Sequence, residues 1–288
     1  MTRGNLFFIM LNMSINTLKR TCTNCGAPLE GYICLYCDSN FGPSGEQVSL
    51  PEAADGRLPT GLFEVRLGDR RYSVLGQLAQ GEHSRVLLAR RASLVSEQVV
   101  LKVSRQVEIL EKEWSTLRHL QGRCSYLDML LPRPVARGEV RSRHILAYSW
   151  RSGFVHTLAY ARKQYLEGVP AAAVVWMWNR ILDQLSALHD LGYSHGDLSL
   201  EHLLVHPRDH GIAFCGWGKA RLGGQGDLAQ SGRVVLELLG PGAPGALVNL
   251  AEEAGCYRHA DQLQQGLKRV AEAVFGPPRF VPFALPRA

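Results

Sequence analysis

From Phe63 to about Phe275 the chain is hydrophobically periodic, and its strand-like pieces largely precede its helix-like ones. That order constrains the fold more than any other feature. Short alternating or β-branched runs occupy 62–78, 84–91, 97–104 and 141–150, as strands do. One helix interrupts them at 108–122. Its Ile109, Leu110, Trp114, Leu117 and Leu120 recur at three-to-four spacing, and Gly122 ends it. A longer helix follows at 171–192. Val174, Trp178, Ile181, Leu185 and Leu188 form one apolar stripe, stopped by Gly192. A short strand pair is predicted at 201–207 and 211–217 around the turn "PRDHG", then helices at 227–240 and 261–276. A strand-rich part with one helix, then a helix-rich part holding a hairpin, is an α+β, two-lobed arrangement. The lobes divide at about 63–150 and 151–288.

The first 62 residues have a different character. Residues 1–20 read as a tail. Its "NLFFIMLNM" is apolar for only six residues before Asn12, too short to span a bilayer, and no other stretch would cross one. The expected location is cytoplasmic. Residues 42–62 are rich in Gly, Pro and small polar residues and read as a linker. Between them, 21–41 holds "CTNCGAPLEGYICLYC". Cys22, Cys25, Cys34 and Cys37 form two Cys-x2-Cys hooks, which bring four thiolates to one tetrahedral centre suited to zinc. So short a segment buries too little apolar surface to fold alone. Metal binding would supply on the order of 10–16 kcal/mol. With four protein ligands the site is structural, and the pattern resembles a short zinc ribbon. Such ribbons dock nucleic acid, partner proteins or their own chain, and the basic "TLKR" before this one is too short to select nucleic acid. The three remaining cysteines, Cys124, Cys215 and Cys256, are scattered and odd in number, which suits a reducing compartment. The net charge of +6 would suit an anionic ligand but selects none.

Chemistry-bearing residues lie in order along 63–288. "AQGEHSRV" (79–86) offers a small-residue hairpin with Gly81, Ser84 and Val86. "VVLKV" puts Lys102 in an apolar strand, where a lysine needs a partner. The next helix offers Glu113, with Glu111 as the fallback. "HGDLSLEHLL" (195–204) follows the long helix, and "GIAFCGWGKA" (211–220) follows it in turn. In type and order these pieces resemble the protein-kinase-like superfamily, over nearly all of 63–288. The resemblance implies a glycine-rich loop over the phosphates of ATP, with Gly81 the one of its three glycines retained. It implies that Lys102 pairs with Glu113 and reaches the α- and β-phosphates, and that Asp197 accepts the proton of the attacking hydroxyl.

Four departures point the other way. His202 stands where kinases carry the asparagine that ligates magnesium, and Ser199 where protein kinases carry a lysine. Phe214 stands at the aspartate of D-F-G. A phenyl ring has no donor, and magnesium wants oxygen rather than imidazole nitrogen. Only ten residues, Trp217 to Gly226, separate Gly216 from Asp227, and no A-P-E occurs among them. The platform on which kinases grip a peptide is deleted. Asp209, in the hairpin turn, is the one carboxylate offered as a substitute ligand. Metal clamps carry most of the catalysis in this chemistry. The sequence therefore reads as a degenerate serine/threonine-protein-kinase-like chain. On this reading it is a pseudokinase with structural zinc, open to ATP but poorly suited to magnesium, with weak or no transfer and an unidentified protein partner. The alternative is an active ATP-dependent phosphotransferase, on protein or small molecule, with atypical metal ligation.

Overall fold

The computed structural model describes residues 20–23, 28–29, 40–41, 47–48, 63–91, 97–140 and 142–285. The chain divides into two compact units, Met1–Pro51 and Glu52–Ala288. In the first, β1 (Arg20–Thr21) pairs antiparallel with β2 (Pro28–Leu29), and β3 (Asn40–Phe41) with β4 (Gln47–Val48). Cys22 is buried. Cys25, Cys34 and Cys37, and so the expected zinc centre, lie outside the described residues, as does most of the tail and the linker.

The second unit opens with an antiparallel sheet of order β5-β6-β7-β8-β10-β9. Its strands are β5 (Phe63–Leu67), β6 (Arg70–Gln80), β7 (Ser84–Arg91), β8 (Glu97–Ser104), β9 (Pro134–Val140) and β10 (Arg143–Ser149). The β6–β7 ladder slips twice, between Val74 and Gly76 and between Gln77 and Ala79. Such bulges bend a strand pair and increase its twist. Strand β9 is not evident from hydrophobic spacing. Its opening proline and its Gly138 weaken any strand pattern, and Pro134 fits because β9 lies at the sheet edge.

Helix α1 (Val107–Leu120) follows β8, and its Leu110, Leu117 and Leu120 are buried as the spacing predicts. Trp114 is only partly buried and carries the Arg137 guanidinium over its ring at 5.0 Å. After a short α2 (Ser125–Asp128), the helical part comprises α3 (Leu158–Gln164), α4 (Ala171–Asp190), α5 (Asp227–Leu238), α6 (Gly245–Glu252) and α7 (Ala260–Phe275). Every residue of the predicted α4 stripe is buried, and α5 and α7 pack on this helix. Trp178 Nε1 donates to Ser231 Oγ at 3.1 Å, tying α4 to α5. Gly192 ends α4 at φ +76°, the left-handed conformation open to glycine.

Two small sheets complete the site's scaffold. β11 (His156–Thr157), β13 (Leu203–His206) and β14 (Gly211–Phe214) form one, and β12 (Tyr193–Ser194) pairs with β15 (Arg221–Leu222) in the other. The buried Gln184 of α4 donates to Ile212 O at 2.8 Å, which fixes the β13–β14 hairpin to the helix. Among the described residues no helix is long and apolar enough to cross a membrane.

Candidate functional site

The segment between β12 and β13 is organised by one buried carboxylate. Asp227, at the start of α5, accepts from the backbone N–H of His195 and of Gly196, both at 2.8 Å, and from His189 Nε2 at 3.1 Å. Burial pushes its carboxyl up, but the bonds from His189 and the two amides outweigh that and hold it below its ordinary value. His195 is buried as well. Its Nε2 donates to Cys215 O at 3.0 Å while its Nδ1 accepts from Asp197 N at 3.3 Å. That pattern assigns the neutral tautomer. Burial pushes the ring's pKa down to about 4, against a smaller upward pull from Asp227. One imidazole thus links the 195–197 loop to the chain after β14.

Across the cleft, Lys102 Nζ lies 2.6 Å from Glu113 Oε2, with the two side chains 14% and 3% exposed. Tyr148 donates its hydroxyl to the other carboxylate oxygen at 2.5 Å, and burial pushes the phenol's pKa well up. Glu113 therefore has both oxygens engaged. Glu111 points elsewhere and pairs with Arg137. The β6–β7 turn is tight: Gly81 N donates to Ser84 O at 2.8 Å, and Ser104 Oγ holds His83 O at 2.7 Å. The Gly81 amide is thereby engaged within its own turn. Val86 lies opposite Lys102 in the sheet, and Ser84 opposite Ser104.

The positions that would seat a metal carry no side-chain oxygen. Phe214 is buried, edge-on to His195 at 5.5 Å between ring centroids, and its carbonyl accepts from Trp217 Nε1 at 3.2 Å. His202 Nδ1 donates to Asp197 O at 2.7 Å, and the ring lies against Gly216. Asp209 does not replace them. It sits in the β13–β14 turn bound to Arg208 at 2.8 Å, at the opposite end of the hairpin from Phe214. Neither Phe214 nor His202 offers magnesium an oxygen ligand. Burial pushes the Cys215 thiol up to about 12, which disfavours its thiolate. Asp197 keeps an accessible carboxylate, held by Lys219 Nζ at 2.9 Å and, more loosely, by the His202 ring at 3.5 Å. Sequence reasoning had not singled out Lys219. The signal was its place three residues beyond Gly216, on the short turn Trp217–Lys219.

Solved kinase domains share this fold. The kinase domain of PF14_0431 aligns with a TM-score of 0.53 at 13% identity, over 72% of this chain and 85% of that one. The BubR1 kinase domain aligns with a TM-score of 0.60 at 11% identity, over 77% and 86%. The fold is protein-kinase-like. At such identities the likeness speaks for the fold alone. No family model matches the sequence, and no curated protein does.

In this kinase-like fold the buried His195 and Asp227 make stability pH-dependent. His195 has a folded pKa of about 4 against an ordinary 6.5. Below 6.5 the unfolded chain takes up a proton that the folded ring refuses. Stability is therefore complete above that pH and is lost as pH falls from 6.5 towards 4, by up to about 3 kcal/mol. The lowered Asp227 carboxyl continues the loss below the ordinary carboxylate range. Urea denaturation at pH 7.5, 5.5 and 4.5 is expected to show midpoints falling in that order. A profile level down to pH 4.5 contradicts the assignment of a neutral, buried His195.

Proposed function

We propose that this chain is a degenerate kinase-like module, a pseudokinase, that binds ATP without a divalent cation and acts by binding rather than by phosphoryl transfer. The observation that carries this reading is Phe214. A buried phenyl ring stands where the fold's metal-holding carboxylate belongs, and the neighbouring His202 has its Nδ1–H bonded to a backbone carbonyl. Without that clamp, charge developing on a transferring phosphoryl group goes unneutralised. The intact Lys102–Glu113 pair supports retention of a nucleotide site, because the ammonium is already positioned and partnered. The short link from Gly216 to Asp227 supports loss of a peptide platform. Its β15 strand pairs with β12 rather than forming an extended surface.

Thermal-shift titration with ATP is the test, in EDTA and in saturating magnesium or manganese. A stabilisation equal in all three supports the reading. A metal-dependent shift, with label transfer abolished by Asp197→Ala, supports an active phosphotransferase instead. No shift in any condition removes the nucleotide from the account.

The amino-terminal cysteines complete the proposal as a structural zinc site formed by Cys22, Cys25, Cys34 and Cys37. Purified chain is expected to carry about one zinc per molecule by elemental analysis. Cys34→Ser is expected to lose most of it while leaving the ATP response of the kinase-like unit intact. Full metal content in that variant contradicts the assignment. The protein bound by the whole chain is unidentified, and pull-down from the native host addresses it.

A further inference from the structure

Lys219 has the geometry of a ligand-binding residue. Its Nζ lies 2.9 Å from Asp197 Oδ1, yet its side chain is 69% exposed, against 29% for Asp197. An ammonium has three donors. One goes to the carboxylate, and the open side of the group leaves donors for something else. A pair this exposed contributes at most about 1 kcal/mol to stability. Stability therefore does not account for the placement.

The backbone around Lys219 is arranged to bring it there. Gly196 sits at φ +75°, and a Cβ on it would lie 2.8 Å from Lys219 O. Only glycine permits that approach, so the middle residue of His-Gly-Asp makes room for the turn that carries Lys219. On its other side the turn is held by α1: a Cβ on Gly218 would lie 2.6 Å from Ile109 Cγ2. The β12–β15 pairing then returns the chain along the same loop. Among the described residues, Lys219 and His202 pair with the Asp197 carboxylate, and His195 Nδ1 accepts from its backbone N–H. Ser199, on the loop itself, supplies no charge.

We propose that Lys219 binds the terminal phosphate of the nucleotide, replacing both the lysine absent at Ser199 and the divalent cation absent with Phe214 and His202. This rests on the nucleotide-binding reading above and deepens it. A single ammonium neutralises one phosphate charge, needs no oxygen ligands and is delivered by the chain itself. It predicts a cleft that discriminates triphosphate from diphosphate without metal.

The experiment is calorimetric titration of the full chain with ATP and with ADP in excess EDTA. Wild type is expected to prefer ATP by roughly 10- to 100-fold, the worth of one charge-assisted hydrogen bond. Lys219→Ala is expected to bind ATP only as well as ADP, with ADP affinity and melting temperature unchanged. Lys219→Arg is expected to retain the preference, and Lys102→Ala to weaken both ligands alike. If Lys219→Ala keeps the wild-type ratio while ATP still binds, the inference falls and the nucleotide-binding reading stands. If wild type binds ATP only when magnesium is added, the inference falls as well. If wild type binds neither nucleotide under any condition, the underlying reading fails and this proposal fails with it.

Discussion

Asp227→Ala is expected to destabilise the kinase-like unit by about 3–5 kcal/mol, measured as a lowered urea midpoint with unchanged slope. The carboxylate is 1% exposed and satisfies three donors at once: two backbone amides of the 195–197 loop and the His189 ring. Alanine leaves all three without their acceptor inside the protein, and each buried orphan costs about 1–3 kcal/mol. Asp227→Asn keeps one carbonyl oxygen and is expected to lose markedly less. The effect should also reach the cleft, since His195 and Gly196 hang from this carboxylate and Asp197 follows them directly. An Asp227→Ala protein as stable as wild type would show that the loop is held by something else.

The second large effect is expected at Glu113. Glu113→Ala strands the Lys102 ammonium in a largely buried position and removes the acceptor of the buried Tyr148 hydroxyl. Removing one partner of a buried pair costs about 3–5 kcal/mol, because the remaining charge has neither water nor a counter-ion. Glu113→Ala combined with Lys102→Met is expected to be more stable than Glu113→Ala alone. Equal stability of the single and double variants would contradict a buried, mutually dependent pair.

These two sites differ in how far the sequence revealed them. The Lys102–Glu113 pair was legible because a lysine in the β-branched run "VVLKV" demands a partner, and the following helix offers Glu113, with Glu111 as the fallback. The structure resolves that choice, sending Glu113 to Lys102 and Glu111 to Arg137. The α4 stripe was legible for a simpler reason, its regular apolar spacing. Asp227 was legible through the resemblance as a buried aspartate opening a helix, but its three donors were not, since they come from residues more than thirty positions earlier in the chain. Tyr148 was not legible at all, because a tyrosine in an apolar strand carries no sign of what its hydroxyl meets. Lys219 escaped for the same reason: its contact with Asp197 spans 22 positions and depends on a glycine's positive φ. Asp209, adjacent to the hairpin in sequence, looked available as a ligand, but strand geometry points it to the opposite end. Local periodicity fixed the elements, while long-range hydrogen bonds assembled the cleft.

The central claim is the proposal that Phe214 and His202, neither with a side-chain oxygen, leave the cleft without a seat for a divalent cation. Anomalous diffraction from crystals soaked with ATP and manganese tests it directly. The account predicts nucleotide density near Lys102 and Lys219 with no manganese peak bound to side-chain oxygen in the cleft. A manganese peak coordinated by Asp197 or another carboxylate, bridging the phosphates, would contradict it.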